Sequence, residues 1–276
     1  MINSSRTCFC SPPDVDYEEV MSGGVSLSGS ADVWDNKIRG GIYAGGTARV
    51  SVATQPWDEY VMVLPLDETS GTVYYDHTTR HLDGTGTATP DIGPFCSGSQ
   101  HFDGLTEYIT LPYDNYHGPF TATAWIKIED IFSARMWYSR GHTTLTDKWY
   151  FTQGHSFINH LAGRVQNTDS TAMEAYSTTT MDAGEWYHVA TSYDGSSFSQ
   201  HIDGIDEGSW DSTGSPVTGT NGGYIARYEG GQPYAGNVQE LRLYGGILST
   251  AWLKAEYDNW CNPEFYHVSK KMLPTW

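Results

Sequence analysis

Residues 185–204 read EWYHVATSYDGSSFSQHIDG, and this stretch decides the fold class. Trp186 to Tyr193 and Phe198 to Ile202 each have the composition of a β-strand. Asp194-Gly195-Ser196-Ser197 joins them as a tight turn, in which glycine supplies the positive φ that such a turn needs. In the first strand Trp186, His188, Ala190 and Ser192 alternate with Tyr187, Val189, Thr191 and Tyr193, so one face is more apolar than the other. In the second, Phe198, Gln200 and Ile202 alternate with Ser199 and His201 before Asp203-Gly204 opens another turn. Strand, DG turn, strand, DG turn predicts an antiparallel sheet.

Working outward, Phe120 to Ile128 sets Phe120, Ala122, Ala124, Ile126 and Ile128 against Thr121, Thr123, Trp125 and Lys127. This is the cleanest period-two run in the chain and predicts a central strand. VMVLPLD at 61–67 and the segments around Phe102, Tyr108, Ile109 and Leu111 supply further strands. HLDGTGTATP at 81–90, with Gly84 and Gly86 flanking threonines and no apolar periodicity, reads as loop or edge. Weaker strands are expected at Met136–Ser139, Trp149–Thr152, Phe157–Ile158 and Ala172–Tyr176. A final strand runs from Asn237 to Tyr244, and Ser249 can cap one helix from about Thr250 to Asp258.

The amino-terminal part reads differently. Residues 1–20, with Pro12-Pro13, form an extended arm, and GGVSLSGSADV at 23–33 recurs position for position as GGIYAGGTARV at 40–50. These are two small β units with too little apolar mass to fold alone, so they must pack on something larger. The division expected is an arm with two repeats at 1–57, one domain at 58–248, and a short helix with a tail at 249–276.

Bulk properties narrow the function. The chain is 38% hydrophobic with 19 Tyr, 10 Trp and 30 Gly but only 15 Lys+Arg, which suits strands and tight turns. A formal charge of −18 removes phosphate neutralisation as a source of affinity, so no nucleic acid partner is expected. No apolar run of membrane-spanning length occurs, and MINSSRTCFCSPP lacks the pattern of a secretion signal. Cys8, Cys10, Cys96 and Cys261 are too few and scattered for a disulfide scaffold and are expected as reduced thiols.

At W-x-H-V-A, YDG and the following xDG the chain resembles the LamG-like jelly-roll domain of the concanavalin A-like superfamily. LPLDETSGTVYYD at 64–76, HFDGLTEYITLP at 101–112, PFTATAWIKIED at 119–130 and GNVQELRLYGGILS at 236–249 fall in that family's order. The resemblance implies an all-β antiparallel sandwich. It also implies a structural Ca²⁺ held by Asp103 of the FDG turn and Glu240 of VQELRLY, although Gln239 stands where the family more often has a carboxylate. The glycine-paired repeats, and the tail AEYDNWCNPEFYHVSKK at 255–271, resemble segments of phage and virion structural proteins.

Catalysis is not expected. A retaining glycosidase of this fold needs two carboxylates about 5 Å apart, often as E-x-D-x-E, and no such run occurs. The pairs Asp67-Glu68, Glu129-Asp130 and Asp206-Glu207 are adjacent and would point to opposite strand faces. His188 reads as a hydrogen-bonded structural histidine. Trp137, Trp149, Trp210 and Tyr228, with Tyr138 and Tyr224, are the candidates for stacking on a sugar ring. The expectation is a non-enzymatic structural or adhesion module on a virion surface, joined through its arm to capsid, tail or other particle proteins, with cell-surface glycans as ligands and self-association open to it. The alternative is a free carbohydrate-binding lectin in an extracellular setting, and a polysaccharide-degrading enzyme ranks below both.

Overall fold

The computed structural model describes residues 59–94, 98–114, 116, 118–129, 135–140, 149–153, 159–166, 172–211, 222–227 and 231–261, with four short strands before them. Only the backbone is described for those four and for 149–153, 165–166 and 172–173. The four are β1 (Leu27–Ser28), β2 (Asp32–Trp34), β3 (Lys37–Arg39) and β4 (Tyr43–Ala44). Leu27 stands opposite Ala44 and Ser28 opposite Tyr43, while Asp32, Val33 and Trp34 face Arg39, Ile38 and Lys37. Every pair is symmetric about the 35–36 bond, so the two repeat copies pair with each other across β1 and β4. The arm at 1–20 lies outside the described residues.

The remaining strands are β5 (Tyr60–Leu64), β6 (Val73–Tyr74), β7 (Gly84–Thr87), β8 (Thr89–Ile92), β9 (Gly98–Asp103), β10 (Tyr108–Leu111), β11 (Phe120–Ile128), β12 (Arg135–Arg140), β13 (Trp149–Gln153), β14 (His160–Gln166), β15 (Ala172–Thr180), β16 (Trp186–Tyr193), β17 (Ser197–Ile202), β18 (Ile205–Asp211), β19 (Gly223–Ile225) and β20 (Ala235–Tyr244). They form two antiparallel sheets. One has the order β18-β17-β16-β11-β20-β9-β8, with β5 also paired to β20, and the other β15-β14-β13-β12-β19-β10-β7-β6. This is the all-β jelly-roll sandwich expected, with β11 central. Among the described residues no helix is long and apolar enough to cross a membrane.

The hairpin β16-β17 forms as its sequence predicts. Asp194 Oδ1 accepts the backbone N–H groups of Ser196 and Ser197, both at 2.7 Å, and Gly195 has a φ of 105°. Tyr187, Val189 and Tyr193 enter the core between the sheets. The opposite face is buried too, because helix α1 (Thr250–Cys261) lies across it. Its N-terminus is capped as expected, Trp252 N donating to Ser249 Oγ at 3.2 Å, and Leu253 packs with Ala190 and Leu248 in a second small core. The helix extends past Asp258 to Cys261, which is disulfide-bonded, contrary to the expectation of reduced thiols. Cys8, Cys10 and Cys96 lie outside the described residues.

Several strands depart from the sequence reading: β6 lies in a segment that reads as a loop, and β18 and β19 were not expected. Gly84–Thr87 is an interior strand of the second sheet, between β10 and β6, rather than a loop or edge. Its period-two pattern was hidden because its buried position is glycine: a Cβ on Gly84 would sit 2.6 Å from Ile109 Cγ2. In β14 the strand begins at His160, so the Phe157–Ile158 expectation falls outside the described residues.

Candidate functional site

The outward face of the second sheet carries a shallow groove of about 410 Å³ lined by Thr72, Thr85, Gly86, Thr87, Thr106, Tyr108 and Thr110. Strand register builds it. On β7 Thr85 and Thr87 point outward while Gly84 points in, and on β10 Tyr108 and Thr110 alternate with the buried Ile109 and Leu111. Thr110 lies opposite Thr85 on one side and Tyr224 on the other, and Tyr108 lies opposite Thr87. The result is a grid of hydroxyls with two tyrosines along one border. Gly86 keeps the strands close, since a Cβ there would meet Tyr108 O at 2.1 Å.

The tyrosine border is stiffened by Arg227. Its guanidinium lies 4.3 Å from the centroid of the Tyr108 ring and 5.4 Å from that of Tyr224, and the two rings meet edge to face at 6.1 Å. Ser139 Oγ donates to Arg227 O at 2.8 Å, tying this backbone to β12. At the other end, Asp103 shapes the turn that delivers Thr106. Its Oδ1 accepts N–H groups from Leu105 and Thr106 at 2.8 Å and from Glu107 at 3.0 Å, and Thr106 Oγ1 donates to Oδ2 at 2.9 Å. The Glu107 N–H foremost, with those of Leu105 and Thr106, holds the Asp103 carboxyl well below the usual range. Hydroxyls, aromatic rings and a guanidinium on an open face are groups that hold a polyhydroxylated ligand, and none of the groove-lining residues is an acid or base suited to bond cleavage.

The carboxylates that the family resemblance assigned to Ca²⁺ do not meet. Asp103 stands opposite Ala235, five residues before Glu240 on β20, a separation of about 15 Å along the strand. Two short side chains and Ca–O distances of about 2.4 Å cannot bridge it. Both carboxylates are also engaged, Asp103 in its turn and Glu240 with Arg242 at 2.7 Å. Among the described residues no group of three or more His, Cys, Asp or Glu side chains is placed to hold a metal. The residues present do not fit the ion.

The aromatic candidates are scattered. Trp137 is fully buried, because a bulge between Met136 and Tyr138 turns both Trp137 and Tyr138 into the core. It is not a surface platform. Trp210 is half-buried on β18, at the far edge of the other sheet, with Gly208 beneath its ring. Of Trp149 only the backbone is described, and Tyr228 lies outside the described residues, as do Gly141 to Thr143 and His155. Tyr224 alone among the proposed aromatics stands next to the groove, opposite Thr110, without lining it. Tyr108, the threonines and Arg227 were missed, although T-x-T at 85–87 and Y-x-T at 108–110 are outward-facing pairs once both segments are known to be strands.

His188 is structural, but its ring is not the hydrogen-bonded part. Its backbone N–H donates to Asp203 Oδ1 at 2.9 Å, while the buried ring lies 5.2 Å from Trp125 and Nε2 is 3.8 Å from Glu256.

The match to known families follows this geometry. The family Laminin_G_3, described as the concanavalin A-like lectin/glucanases superfamily, matches residues 102–254, more than half of the chain. The chain belongs to this family. The Laminin_G_3 match spans β10 to β20, including the tyrosine border, and ends within α1. No curated protein matches the sequence. Among solved structures, this Laminin_G_3 chain is similar to domain 4 of AbnA, a GH43 extracellular arabinanase from Geobacillus stearothermophilus, in complex with arabinotriose. The two are 18% identical with a TM-score of 0.60, covering 71% of this chain and 97% of that one. It is also similar to the binding domain of Paraclostridial Mosquitocidal Protein 1, at 12% identity and a TM-score of 0.62, covering 74% of this chain and 53% of that one. A third likeness is to the Botulinum Neurotoxin serotype G binding domain, at 9% identity and a TM-score of 0.58, covering 72% and 50%. The chain thus spans about half the length of the toxin domains, and at these identities the likeness is one of fold.

Proposed function

We propose that this chain is a non-enzymatic carbohydrate-binding module whose ligand lies along the outward face of the second sheet. The observation that carries the reading is the cross-strand grid of Thr85, Thr87 and Thr110 bordered by Tyr108 and Tyr224. Hydroxyls spaced by strand geometry match the hydroxyls of a sugar chain, and a tyrosine ring offers its face to the C–H side of a pyranose. The similar arabinanase domain is described in complex with arabinotriose and the similar toxin domains as binding domains, which supports the same use here. Glycoside hydrolysis by two carboxylates has no basis in a groove lined by threonine, glycine and tyrosine. A glycan array probed with the full chain tests the reading. Binding that falls at least tenfold in Tyr108→Ala, with the melting temperature kept, supports it, and an array with no bound glycan rejects it.

A second reading adds the setting. The repeat copies at 23–33 and 40–50 pair through β1 and β4, and such a unit ahead of a binding domain suits attachment to a larger particle, a virion among them. In that reading residues 1–57 anchor and the sandwich projects. Deleting residues 1–55 and weighing both forms in solution tests it: a defined assembly lost on deletion supports anchoring, and two monomers favour a free lectin.

A further inference from the structure

We infer that Tyr75 is a second stacking position for the ligand of this groove, and that the ligand is therefore an oligosaccharide lying obliquely across β10, β7 and β6 rather than a single sugar. The inference rests on the carbohydrate-binding reading above and adds the extent of the site. Tyr75 follows β6 directly, between the buried Tyr74 and Asp76, so alternation sends its side chain to the outward face. That face carries Thr85, Thr87 and Thr110. At 57% exposure the Tyr75 ring is open to solvent. It stands beyond the residues that line the groove, so only a ligand that overruns the groove reaches it.

Strand register sets the distance. Val73 and Thr110 both pair with Thr85; Tyr75 lies two residues from Val73 on one side of that row, and Tyr108 two residues from Thr110 on the other. Four residues of strand rise and two strand spacings separate their Cα atoms by about 16 Å, with the hydroxyls of Thr85 and Thr110 between them. A single sugar ring cannot touch both tyrosines. The backbone under Tyr75 is also fixed. Its N–H donates to Glu68 Oε1 at 2.9 Å, and the Asp76 N–H donates to Asp83 Oδ1 at 2.8 Å. The buried Asp76 carboxylate in turn accepts the N–H groups of Val63, Thr78 and Leu82 at 2.9, 3.0 and 2.8 Å. A ring carried on a fixed backbone loses less freedom on stacking, which favours its use as a platform.

The test is an array carrying arabino-, gluco-, galacto- and manno-oligosaccharides, each as a series from monosaccharide to hexasaccharide. It is probed with the full wild-type chain, Tyr75→Ala, Tyr75→Phe and Tyr108→Ala, each checked for an unchanged melting temperature. The expected result is wild-type affinity that rises at least tenfold from the shortest to the longest bound members. Tyr75→Ala loses that rise while the shortest bound members change less than twofold, Tyr75→Phe keeps it, and Tyr108→Ala weakens short and long members alike. Affinity independent of chain length, a length dependence unchanged in Tyr75→Ala, or an equal loss at every length in that variant overturns this inference and leaves the proposed function standing. No binding to any member overturns both.

Discussion

Arg242 on β20 donates through Nη1 to Glu256 of helix α1 at 2.5 Å, and through Nη2 to Glu240 on its own strand at 2.7 Å. Glu240 reaches that position because it occupies a bulge, with a φ of 54°, at the point where one edge of β20 passes from β9 to β5. Its N–H turns away to Pro65 O at 3.0 Å, and its carboxylate turns toward Arg242. Burial works against the charge on Arg242, yet the Glu240 and Glu256 carboxylates together raise its pKa. Burial raises the Glu256 carboxyl, against the pull of Arg242. One bulge thus prepares the cation that fastens the helix.

Removing Glu256 takes one carboxylate partner from that buried guanidinium. Glu256→Ala should destabilise the fold by about 3 kcal/mol, the scale for breaking a buried ion pair. Pairing it with Arg242→Met should restore part of the loss. Urea midpoints of the single and double variants check this, and an additive pair of losses would contradict it.

His188 makes stability depend on pH. Burial foremost, with the nearby Arg242 charge and then His201, pushes its pKa from 6.5 down to about 3, so the folded state holds the neutral ring. The unfolded chain binds the extra proton as pH falls through about 6.5, and the folded chain does so only near 3. Stability contributed by this residue is therefore complete above about 6.5 and is lost on acidification between those values. Glu256, raised by burial, acts with the opposite sign. Urea denaturation at pH 7, 5.5 and 4 should show a slope that flattens in His188→Phe while the Glu256 contribution remains.

The groove depends on Gly86. Gly86→Ala would drive a methyl group against the Tyr108 carbonyl at 2.1 Å, where only backbone can yield. Gly84→Ala meets the Ile109 side chain at 2.6 Å, which can rotate. Gly86→Ala should cost about 3 kcal/mol and Gly84→Ala about 1 kcal/mol, on the scale of overpacking. Thermal denaturation of both variants decides the order.

Calcium should leave stability unchanged, because Asp103 and Glu240 are committed to separate partners. Differential scanning calorimetry with excess EDTA and with millimolar Ca²⁺ should give the same melting temperature within 1 °C, about a tenth of what tight binding to the folded state produces. Asp103→Ala should instead lower it in both conditions, by freeing the turn that carries Thr106.

Much of the fold was legible because its signals are local. The alternation of β16 and β11, the Asp194-Gly195 turn and the Ser249 cap each depend on residues within a few positions, and each appears where the sequence placed it. Sheet partners, bulges and the groove were not legible, because they depend on which distant strands become neighbours. Trp137 reads as a candidate for stacking on a sugar ring until the bulge beside it sends it inward, and the GTGT of β7 reads as a loop or edge until Ile109 explains its glycine. Asp103 and Glu240 each sit in a recognisable motif, yet only the antiparallel register of β9 and β20 sets them about 15 Å apart. Conversely Thr85, Thr110 and Tyr224, from three segments remote in sequence, become one surface because hydrogen-bonded strands align side chains of equal parity on one face. The sequence by itself determined the strands with clear alternation, β11 and β16 foremost, and the turn at Asp194-Gly195, through short-range sterics. The tertiary structure decided which side chains share a face, since that depends on pairing between strands that are not neighbours in sequence, as Thr110 pairs with Thr85 on one side and with Tyr224 on the other.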